Sequence, residues 1–298
     1  MKNSSLYQEL LVQLVSGLKT LPDKPEETPE TTLCALWHAA AGAPKSAVLA
    51  AVTDLPSLDK TAEKTLRDLI KQRLNGAPLA HITHRQRFVD MEMLAGPEAL
   101  VPRKETELLA RTAIDLASQI VAQQGKATMI DVCTGSGNVA LAVAQHVRGV
   151  QVFAADISED AVALARRNMQ HLRLDGRVQF AAGDLLAPFD NPEFHARVDL
   201  LSGNPPYITS AKVKEMPNEI SAHEPTLAFD GGAFGVAIIM RLVKEAPRFL
   251  RPGGWFVSEI GLGQGPVLGK LLNKNPAFKE VRMIEDASGA VRVVMARC

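Results

Sequence analysis

The chain has 298 residues, of which 46% are hydrophobic, enough for a sizeable core and for about two domains. Its 33 basic and 33 acidic residues cancel, which argues against a general nucleic-acid or polyanion binder. The first residues lack the pattern of a secretory signal, and no run of about 18 apolar residues occurs. We therefore expect a cytoplasmic protein with no membrane partner.

The cysteines and histidines predict no metal site. Cys34, Cys133 and Cys298 are scattered and odd in number, without a CxxC pair, so we expect reduced thiols. His81 and His84 have no carboxylate or cysteine partner nearby in the sequence.

Residues 1–85 show helical patterns that are broken by polar, proline-containing joints. Helical spacing covers LYQELLVQLVSGL, TTLCALWHAAAG and LDKTAEKTLRDLIKQRLNG, and the last of these ends at Gly76 as a C-cap would. We interpret residues 1–85 as a small helical domain. Residues 86–103 alternate apolar and polar side chains around a Gly-Pro turn, which predicts a linker hairpin.

Residues 104–298 show an α/β pattern. A long amphipathic helix ends at Gly125, and the short apolar runs TMIDVC, QVFAAD, VQFAAGD, VDLLSG and WFVSEI then alternate with helical segments. This alternation is typical of buried parallel strands with crossover helices. KEVRMIED and AVRVVMAR are joined by a short turn and predict an antiparallel edge hairpin. Ligands in such doubly wound sheets bind beyond the carboxyl ends of the strands.

A glycine-rich loop, DVCTGSGNVALAVA, follows the first predicted strand of this sheet. Gly135 and Gly137 allow a tight turn and close approach of a ligand, while the helix from about Asn138 presents free N–H groups to it. With Ala140 the two glycines also match the dinucleotide pattern G-x-G-x-x-G/A, and Asp156 lies at a spacing that suits ribose hydroxyls. A plain strand-to-helix turn stays open as the alternative.

Carboxylates follow three successive predicted strands, at Asp131, Asp156 and Asp184. Asp131 would crowd a pyrophosphate but suits a cationic ligand with an amino group and a sulfonium. Asp184 stands where the exocyclic amine of an adenine needs an acceptor. The set favours S-adenosylmethionine over a dinucleotide, although each carboxylate alone is also a common helix cap or turn residue.

The motif NPPY, residues 204–207, follows the fourth strand at the same end of the sheet. The proline after Asn204 favours an extended backbone there, so the side chain can project into the crevice. Pro205 and Pro206 donate no backbone hydrogen bond, which leaves the Pro205 carbonyl free to accept one from a ligand. The Asn204 oxygen and this carbonyl form paired acceptors for a planar NH2 group, and Tyr207 offers a flat face to its π system. A rigid structural loop with a capping asparagine is the alternative.

Four motifs together resemble the HemK-type protein N5-glutamine methyltransferases, which modify a glutamine in translation proteins. They are NPPY, the D-x-x-T-G-S-G loop, VPRKETELL and HEPTLAFDGG. The similarity runs from the helical N-terminal region, including LNGAPLAHIT, nearly to the last strand. DVCTGSG and MPNEISAHEP look like the ribosomal protein L3 enzymes, whereas VPRKETELL and FDGGAFG look like the release-factor enzymes, which usually have glycine at the position of Cys133.

The resemblance implies a Rossmann-like class I S-adenosylmethionine-dependent methyltransferase fold. Its sheet would have seven strands, mostly parallel, with an antiparallel edge hairpin, and the small N-terminal helical domain would help to recognise the substrate. The implied cofactor is S-adenosylmethionine, with S-adenosylhomocysteine as product and no metal. The implied partner is a protein of the translation machinery, a ribosomal protein or a peptide-chain release factor with its GGQ glutamine.

Two sets of site residues follow from the motifs and the resemblance. For the substrate amide and catalysis they are Asn204, Pro205, Pro206 and Tyr207. For the cofactor they are Asp131, Cys133, Thr134, Gly135, Ser136, Gly137, Asp156, Ile157, Asp184, Leu185 and Asn204.

Other functions stay open at this point. The NPPY device also suits the adenine amine of a nucleic acid, although an N6-adenine methyltransferase normally needs a basic surface, which the balanced charge does not indicate. A small metabolite amide or amine is a further acceptor. A binding module without turnover is the non-catalytic alternative, and the presence of both NPPY and the complete glycine loop argues against it.

Overall fold

The computed structural model describes residues 5–298, apart from the side chain of residue 218, so the first four residues of the predicted helical domain lie outside it. The helices are α1 (Ser5–Gly17), α2 (Pro29–Ala40), α3 (Ala47–Ala51), α4 (Lys60–Leu74), α5 (Leu79–Thr83), α6 (Thr106–Gln124), α7 (Asn138–His146), α8 (Glu159–His171), α9 (Ser210–Val213), α10 (Asn218–Ser221), α11 (Ala237–Phe249) and α12 (Gly265–Lys274). The strands are β1 (Arg85–Phe88), β2 (Met91–Leu94), β3 (Ala127–Val132), β4 (Val150–Asp156), β5 (Val178–Ala182), β6 (Val198–Gly203), β7 (Leu250–Glu259), β8 (Glu280–Glu285) and β9 (Val291–Arg297). Within the described range, no helix has the length and apolar character needed to cross a bilayer.

The described chain divides into two compact units. The first contains residues 5–97, 101–104 and 217–224, and the second contains residues 98–100, 105–216 and 225–298. The first unit therefore holds the predicted helical region and hairpin, together with a segment from far along the chain. The uninterrupted boundaries predicted from sequence, 1–85, 86–103 and 104–298, do not include this return of the chain.

The helices of the first unit pack around an apolar core. Their inward side chains include Leu10, Leu14, Leu33, Leu36, Trp37, Leu66 and Ile70. The side chains of Thr28, Ser46 and Asp59 cap α2, α3 and α4, each accepting a hydrogen bond from the backbone N–H three residues on. Helices α3 and α5 were not predicted, because five residues are too few to show a helical period.

The hairpin of β1 and β2 turns earlier than the sequence suggested. Phe88 pairs with Met91, so the turn consists of Val89 and Asp90 rather than of the Gly96-Pro97 step. Val89 has a φ of 55°, an unusual backbone for a β-branched residue. The alternation that buries Phe88, Met91 and Met93 fixes this register, because a shift by one residue would turn all three towards solvent.

The second unit is built on a seven-stranded sheet in the order β5-β4-β3-β6-β7-β9-β8. Strands β3 to β7 run parallel, whereas β9 pairs antiparallel with both β7 and β8. This arrangement confirms the predicted sheet and its antiparallel edge hairpin. The strand order reverses between β3 and β6, so the carboxyl ends of these two strands flank the point where doubly wound sheets bind ligands.

A buried cluster of charges holds residues 217–224 within the first unit. Glu219 binds Lys24 over 3.0 Å and Arg73 over 2.8 Å, and Arg73 also binds Glu27 over 2.9 Å. All four side chains are almost fully shielded from solvent. Glu224 makes a second buried pair, with Arg103 over 2.6 Å.

Glu219→Ala should lower the free energy of unfolding of the first unit by about 3 kcal/mol, because Lys24 and Arg73 would lose a shared counter-ion in a buried site. Urea denaturation followed by circular dichroism measures this. Glu9→Ala is the matched control, since its pair with Arg67 lies in solvent, and the unfolding midpoint should not move. Equal midpoints for the two variants would show that the buried cluster does not contribute more to the free energy of unfolding than the exposed pair.

Candidate functional site

The glycine loop lies between β3 and α7, as predicted. Gly135 and Gly137 have φ values of 54° and 81°, and Gly137 forms the N-cap of α7. A Cβ atom at Gly137 would lie 3.1 Å from Ala165 Cβ and 3.2 Å from the Phe180 ring, so the loop needs glycine there for space as well as for backbone freedom. The free N–H groups at the start of α7 lie at the carboxyl end of the sheet, where they suit polar ligand groups.

Asp131 is buried beneath this loop at the end of β3. Its carboxylate accepts hydrogen bonds from the hydroxyls of Thr134, over 2.6 Å, and Ser202. Burial raises the pKa of Asp131 to about 6, against the opposing effect of these two hydroxyls. The negative charge predicted here is therefore present at neutral pH and titrates close to it.

The other two predicted carboxylates, Asp156 and Asp184, differ in their hydrogen-bond partners. Asp156, at the end of β4, accepts hydrogen bonds from the backbone N–H groups of Gly135, over 2.8 Å, and Ser158, over 3.0 Å. Each of its oxygens keeps a further lone pair for a ligand. Asp184 instead forms a two-pronged ion pair with Arg241, at 2.8 and 3.3 Å, so a ligand at this carboxylate would share its oxygens with a cationic side chain.

Four further predicted cofactor residues lie around the loop. Ser136 has a buried hydroxyl with no hydrogen-bond partner among the described residues. Ile157, directly after Asp156, is 56% exposed, which is unusual for a large apolar side chain. Leu185 and Cys133 have φ values of 51° and 53°, a conformation that favours glycine. Burial raises the pKa of the Cys133 thiol well above the usual range.

The NPPY corner directly follows β6. Asn204 Oδ1 is buried and has no hydrogen-bond partner within residues 5–298, whereas Asn204 Nδ2 donates to Thr106 Oγ1 over 3.3 Å. In the same range the Pro205 carbonyl accepts no hydrogen bond. Two oxygen acceptors from consecutive residues directly after β6 therefore have no hydrogen-bond partner in the described part of the chain.

Tyr207 takes part in a polar network that was not predicted. Its hydroxyl donates to Glu259 Oε1 over 3.0 Å, and the Arg292 guanidinium lies 5.6 Å from the centre of its ring. Burial and the nearby Glu259 carboxylate raise the pKa of Tyr207 well above its usual range, so the hydroxyl keeps its proton. The ring was expected to present a flat face to a ligand, and the structure adds that Arg292 packs against it.

Sequence reasoning missed Thr106, Glu259, Gln264 and Arg292. Glu259 carried a detectable signal, because a carboxylate at the end of the apolar run WFVSEI is costly to bury without a role. Gln264 donates to the carbonyls of Tyr207, over 3.1 Å, and Gly235, over 3.0 Å. No local pattern marks Gln264 or Arg292, since their partners are far away in the sequence. Among residues 5–298, no group of His, Cys, Asp and Glu side chains is arranged to hold a metal ion.

The sheet and the family match identify the class of this protein as methyltransferase. A family model described as "Methyltransferase domain" matches residues 123–287, and the fold is the Rossmann-like fold of class I S-adenosylmethionine-dependent methyltransferases. The solved catalytic domain of hMettl16, in complex with the MAT2A 3′UTR hairpin 6, shares this fold with a TM-score of 0.54 at 14% identity, over 77% of this chain and 81% of that chain.

Relatives that match most of the chain identify the family within this class. The release factor glutamine methyltransferase of Gloeobacter violaceus is 33% identical over 240 residues, which are 80% of this chain and 81% of the relative. The protein of the same name from Streptomyces coelicolor is 36% identical over 232 residues, 77% and 79% of the two chains. The chain belongs to the family of release factor glutamine methyltransferases, which confirms the predicted HemK-type family and the enzyme class.

Cys133→Val should destabilise the second unit by about 2 kcal/mol, because a β-branched side chain is strained at a φ of 53°. Cys133→Gly should be tolerated. Cys133→Ala is the control, since it removes the thiol without adding a branch at Cβ. Thermal unfolding measures the stability of all three variants. A valine variant as stable as the alanine variant would show that the positive φ at residue 133 does not strain a β-branched side chain.

Proposed function

We propose that this protein transfers a methyl group from S-adenosylmethionine to the side-chain amide nitrogen, N5, of a glutamine in a peptide-chain release factor. The observation that carries the proposal is that Asn204 Oδ1, which is buried, and the adjacent Pro205 carbonyl have no hydrogen-bond partner among residues 5–298. Two adjacent acceptors without donors suit the two hydrogens of a primary amide. The names of the relatives support the release factor as the substrate.

The residues around the glycine loop fit S-adenosylmethionine. The buried Ser136 hydroxyl has no partner in the described part of the chain. The Asp131 and Asp156 carboxylates suit a ligand that carries positive charge and ribose hydroxyls. Exposed Ile157 offers an apolar face that an adenine ring would cover. Thr134 to Gly137 and Leu185 complete this set in the proposal. Asp184 would have to share its oxygens with Arg241 to contact the adenine.

The proposed chemistry addresses the weak nucleophilicity of an amide nitrogen, whose lone pair is delocalised into the carbonyl. S-adenosylmethionine supplies an electrophilic methyl group on a sulfonium. Asn204 Oδ1 and the Pro205 carbonyl would accept the two amide hydrogens and favour a pyramidal nitrogen, and they would stabilise the positive charge that develops there. Pro206 stiffens the corner, so the acceptors need little reorganisation. Alignment of the nitrogen with the methyl carbon would supply a further part of the rate acceleration.

Exposed apolar side chains beside the corner support a protein as the acceptor. Phe234 is 83% exposed and Leu262 is 71% exposed. Their neighbours Gly235 and Gly261 pack against Tyr207, so both loops converge on the corner. Apolar groups of this kind fit a polypeptide better than the phosphates of a nucleic acid. In the proposal, the first unit adds contacts to the release factor.

The test is incubation with labelled S-adenosylmethionine and, in parallel, a release factor, duplex DNA, an RNA hairpin and free glutamine. Mass spectrometry of digested products locates the label. We expect it on the GGQ glutamine of the release factor. Label on adenine or on the free amino acid, with none on the release factor, would overturn the proposal in favour of another acceptor.

Asn204→Ala should lower kcat by about 100-fold or more, because it removes one of the two acceptors that act on the nitrogen. The Kd for S-adenosylmethionine, measured by calorimetry, should stay within about 3-fold, since the glycine loop and Asp156 are untouched. Unchanged turnover would remove the role assigned to Asn204.

Binding of S-adenosylmethionine should weaken as the pH falls below about 6, because Asp131 then becomes neutral and no longer attracts a cation. Above that pH the carboxylate is ionised and the affinity should level off. Asp131→Asn should bind more weakly at neutral pH and lose the dependence. Calorimetric titrations from about pH 5 to about pH 8 measure both proteins, and parallel pH profiles would contradict the assignment.

A further inference from the structure

The side chain of Gln264 joins three segments that are far apart in the sequence. Its Nε2 group donates to the Tyr207 carbonyl over 3.1 Å and to the Gly235 carbonyl over 3.0 Å. Its Oε1 atom accepts from the N–H of Gly261 over 2.9 Å. Both hydrogens of the NH2 group and one lone pair of the oxygen are therefore used. Tyr207 is the last residue of the NPPY corner, so one of these bonds holds the corner directly.

These partners allow the Gln264 carboxamide a single orientation. The reversed group would direct its oxygen at two carbonyl oxygens and its N–H groups at the N–H of Gly261, so all three bonds would be lost. Gln264 is also the N-cap residue of α12, but its side chain makes no capping hydrogen bond in the described chain. The side chain therefore serves the three joined segments and not the helix that it precedes.

The NPPY corner depends on its neighbours because the prolines contribute no backbone donor. Pro205 and Pro206 have no N–H group, and the Pro205 carbonyl accepts no hydrogen bond within residues 5–298. Directly after the corner, the Ile208 N–H donates to the Phe229 carbonyl over 3.0 Å, and the Ile208 carbonyl accepts from Gly231 over 2.8 Å. The position of the corner is therefore set mainly by the segments that pack against it.

Two of these segments lie so close to the corner that only glycine fits. A Cβ atom at Gly231 would lie 2.5 Å from the Pro206 oxygen, and a Cβ atom at Gly261 would lie 3.0 Å from Cδ2 of the Tyr207 ring. Atoms in such close contact cannot move independently. A shift of either segment would therefore displace the corner and, with it, the Pro205 carbonyl.

We propose that Gln264 is a positioning residue for methyl transfer, which holds the NPPY corner where its two oxygens meet the substrate amide. The inference rests on the proposed function, in which Asn204 Oδ1 and the Pro205 carbonyl accept the amide hydrogens. Gln264 itself does not touch the reacting atoms in this proposal. Without its hydrogen bonds both acceptors would remain but would be less accurately placed, and a misplacement of about 1 Å can cost about 100-fold in rate.

Gln264→Met is the first test, because methionine has a similar length but donates no hydrogen bond and accepts only weakly. At saturating S-adenosylmethionine, we expect kcat for release-factor methylation to fall by about 10-fold or more. The Kd for S-adenosylmethionine, measured by calorimetry, should stay within about 3-fold, since none of the three bonds involves the glycine loop. A kcat equal to that of the wild type would overturn the inference.

Asn275 provides the matched control at the other end of α12, roughly 16 Å away along the helix. Its carboxamide donates to the Val243 carbonyl over 3.2 Å and accepts from the Ala277 N–H over 3.1 Å, so it makes the same kinds of hydrogen bond in the same unit. Thermal unfolding gives the stability of Asn275→Leu and Gln264→Met, and we expect the leucine variant to keep the kcat of the wild type. An equal fall in kcat for both variants would refute a positioning role that is specific to Gln264.

Gln264→Glu separates the two donated hydrogens from the accepted one. An ionised glutamate keeps an acceptor for the Gly261 N–H but offers no hydrogen to the carbonyls of Tyr207 and Gly235. At about pH 8, where the carboxylate is ionised, kcat should be at least as low as in the methionine variant. A glutamate variant as fast as the wild type would show that the bonds to the two carbonyls do not position the corner.

Hydrogen–deuterium exchange tests the positioning without relying on activity. Gln264→Met should speed exchange of the Ile208 and Gly231 N–H groups by about 5-fold or more, although neither bonds to Gln264, because the joined segments would open more often. Unchanged exchange in peptides covering residues 207–210 and 229–235 would refute the inference. Failure of the wild-type protein to methylate any glutamine would instead refute the proposed function and would leave the exchange result intact, so the two failures are distinguishable.

Discussion

The proposed active site depends on one buried oxygen that receives no hydrogen bond from the rest of the described protein. Asn204 Oδ1 lacks a partner among the described residues, and a buried unsatisfied acceptor costs about 1–3 kcal/mol. The fold tolerates this cost at the end of β6, where two prolines also remove the nearest backbone donors. A site that kept every acceptor satisfied internally would be more stable and would have nothing to offer a substrate amide.

The rest of the local structure keeps that corner in place. The Gln264 carboxamide donates to the carbonyls of Tyr207 and Gly235 and accepts from the N–H of Gly261 over 2.9 Å, so it ties three loops together. Gly235 has no alternative, because a Cβ there would lie 2.3 Å from the Tyr207 oxygen. One amide side chain thereby fixes the loops that carry exposed Phe234 and Leu262, beside the acceptors.

Much of this could be predicted from the sequence, because the signals are local. The apolar runs define the strands of the sheet, and the glycines at 135 and 137 and the motif NPPY stand directly at strand ends. The hairpin shows the limit of such signals. The turn was predicted at Gly96-Pro97, which is the better turn sequence, but the pairing of Phe88 with Met91 places it at Val89 and Asp90. Contacts between distant residues left no trace of this kind. The pairing of Asp184 with Arg241, and of Glu259 with Tyr207, depends on tertiary packing that one sequence does not encode in any local pattern.

Because residues 217–224 belong to the first unit, that unit is completed late in the synthesis of the chain. Glu219 and Glu224 supply buried counter-ions for Lys24, Arg73 and Arg103, which leave the ribosome much earlier. Domains usually complete their folding in order of synthesis. The buried charge cluster of the first unit therefore lacks two of its carboxylates until residues 217–224, which follow β6 and the NPPY corner, have been synthesised.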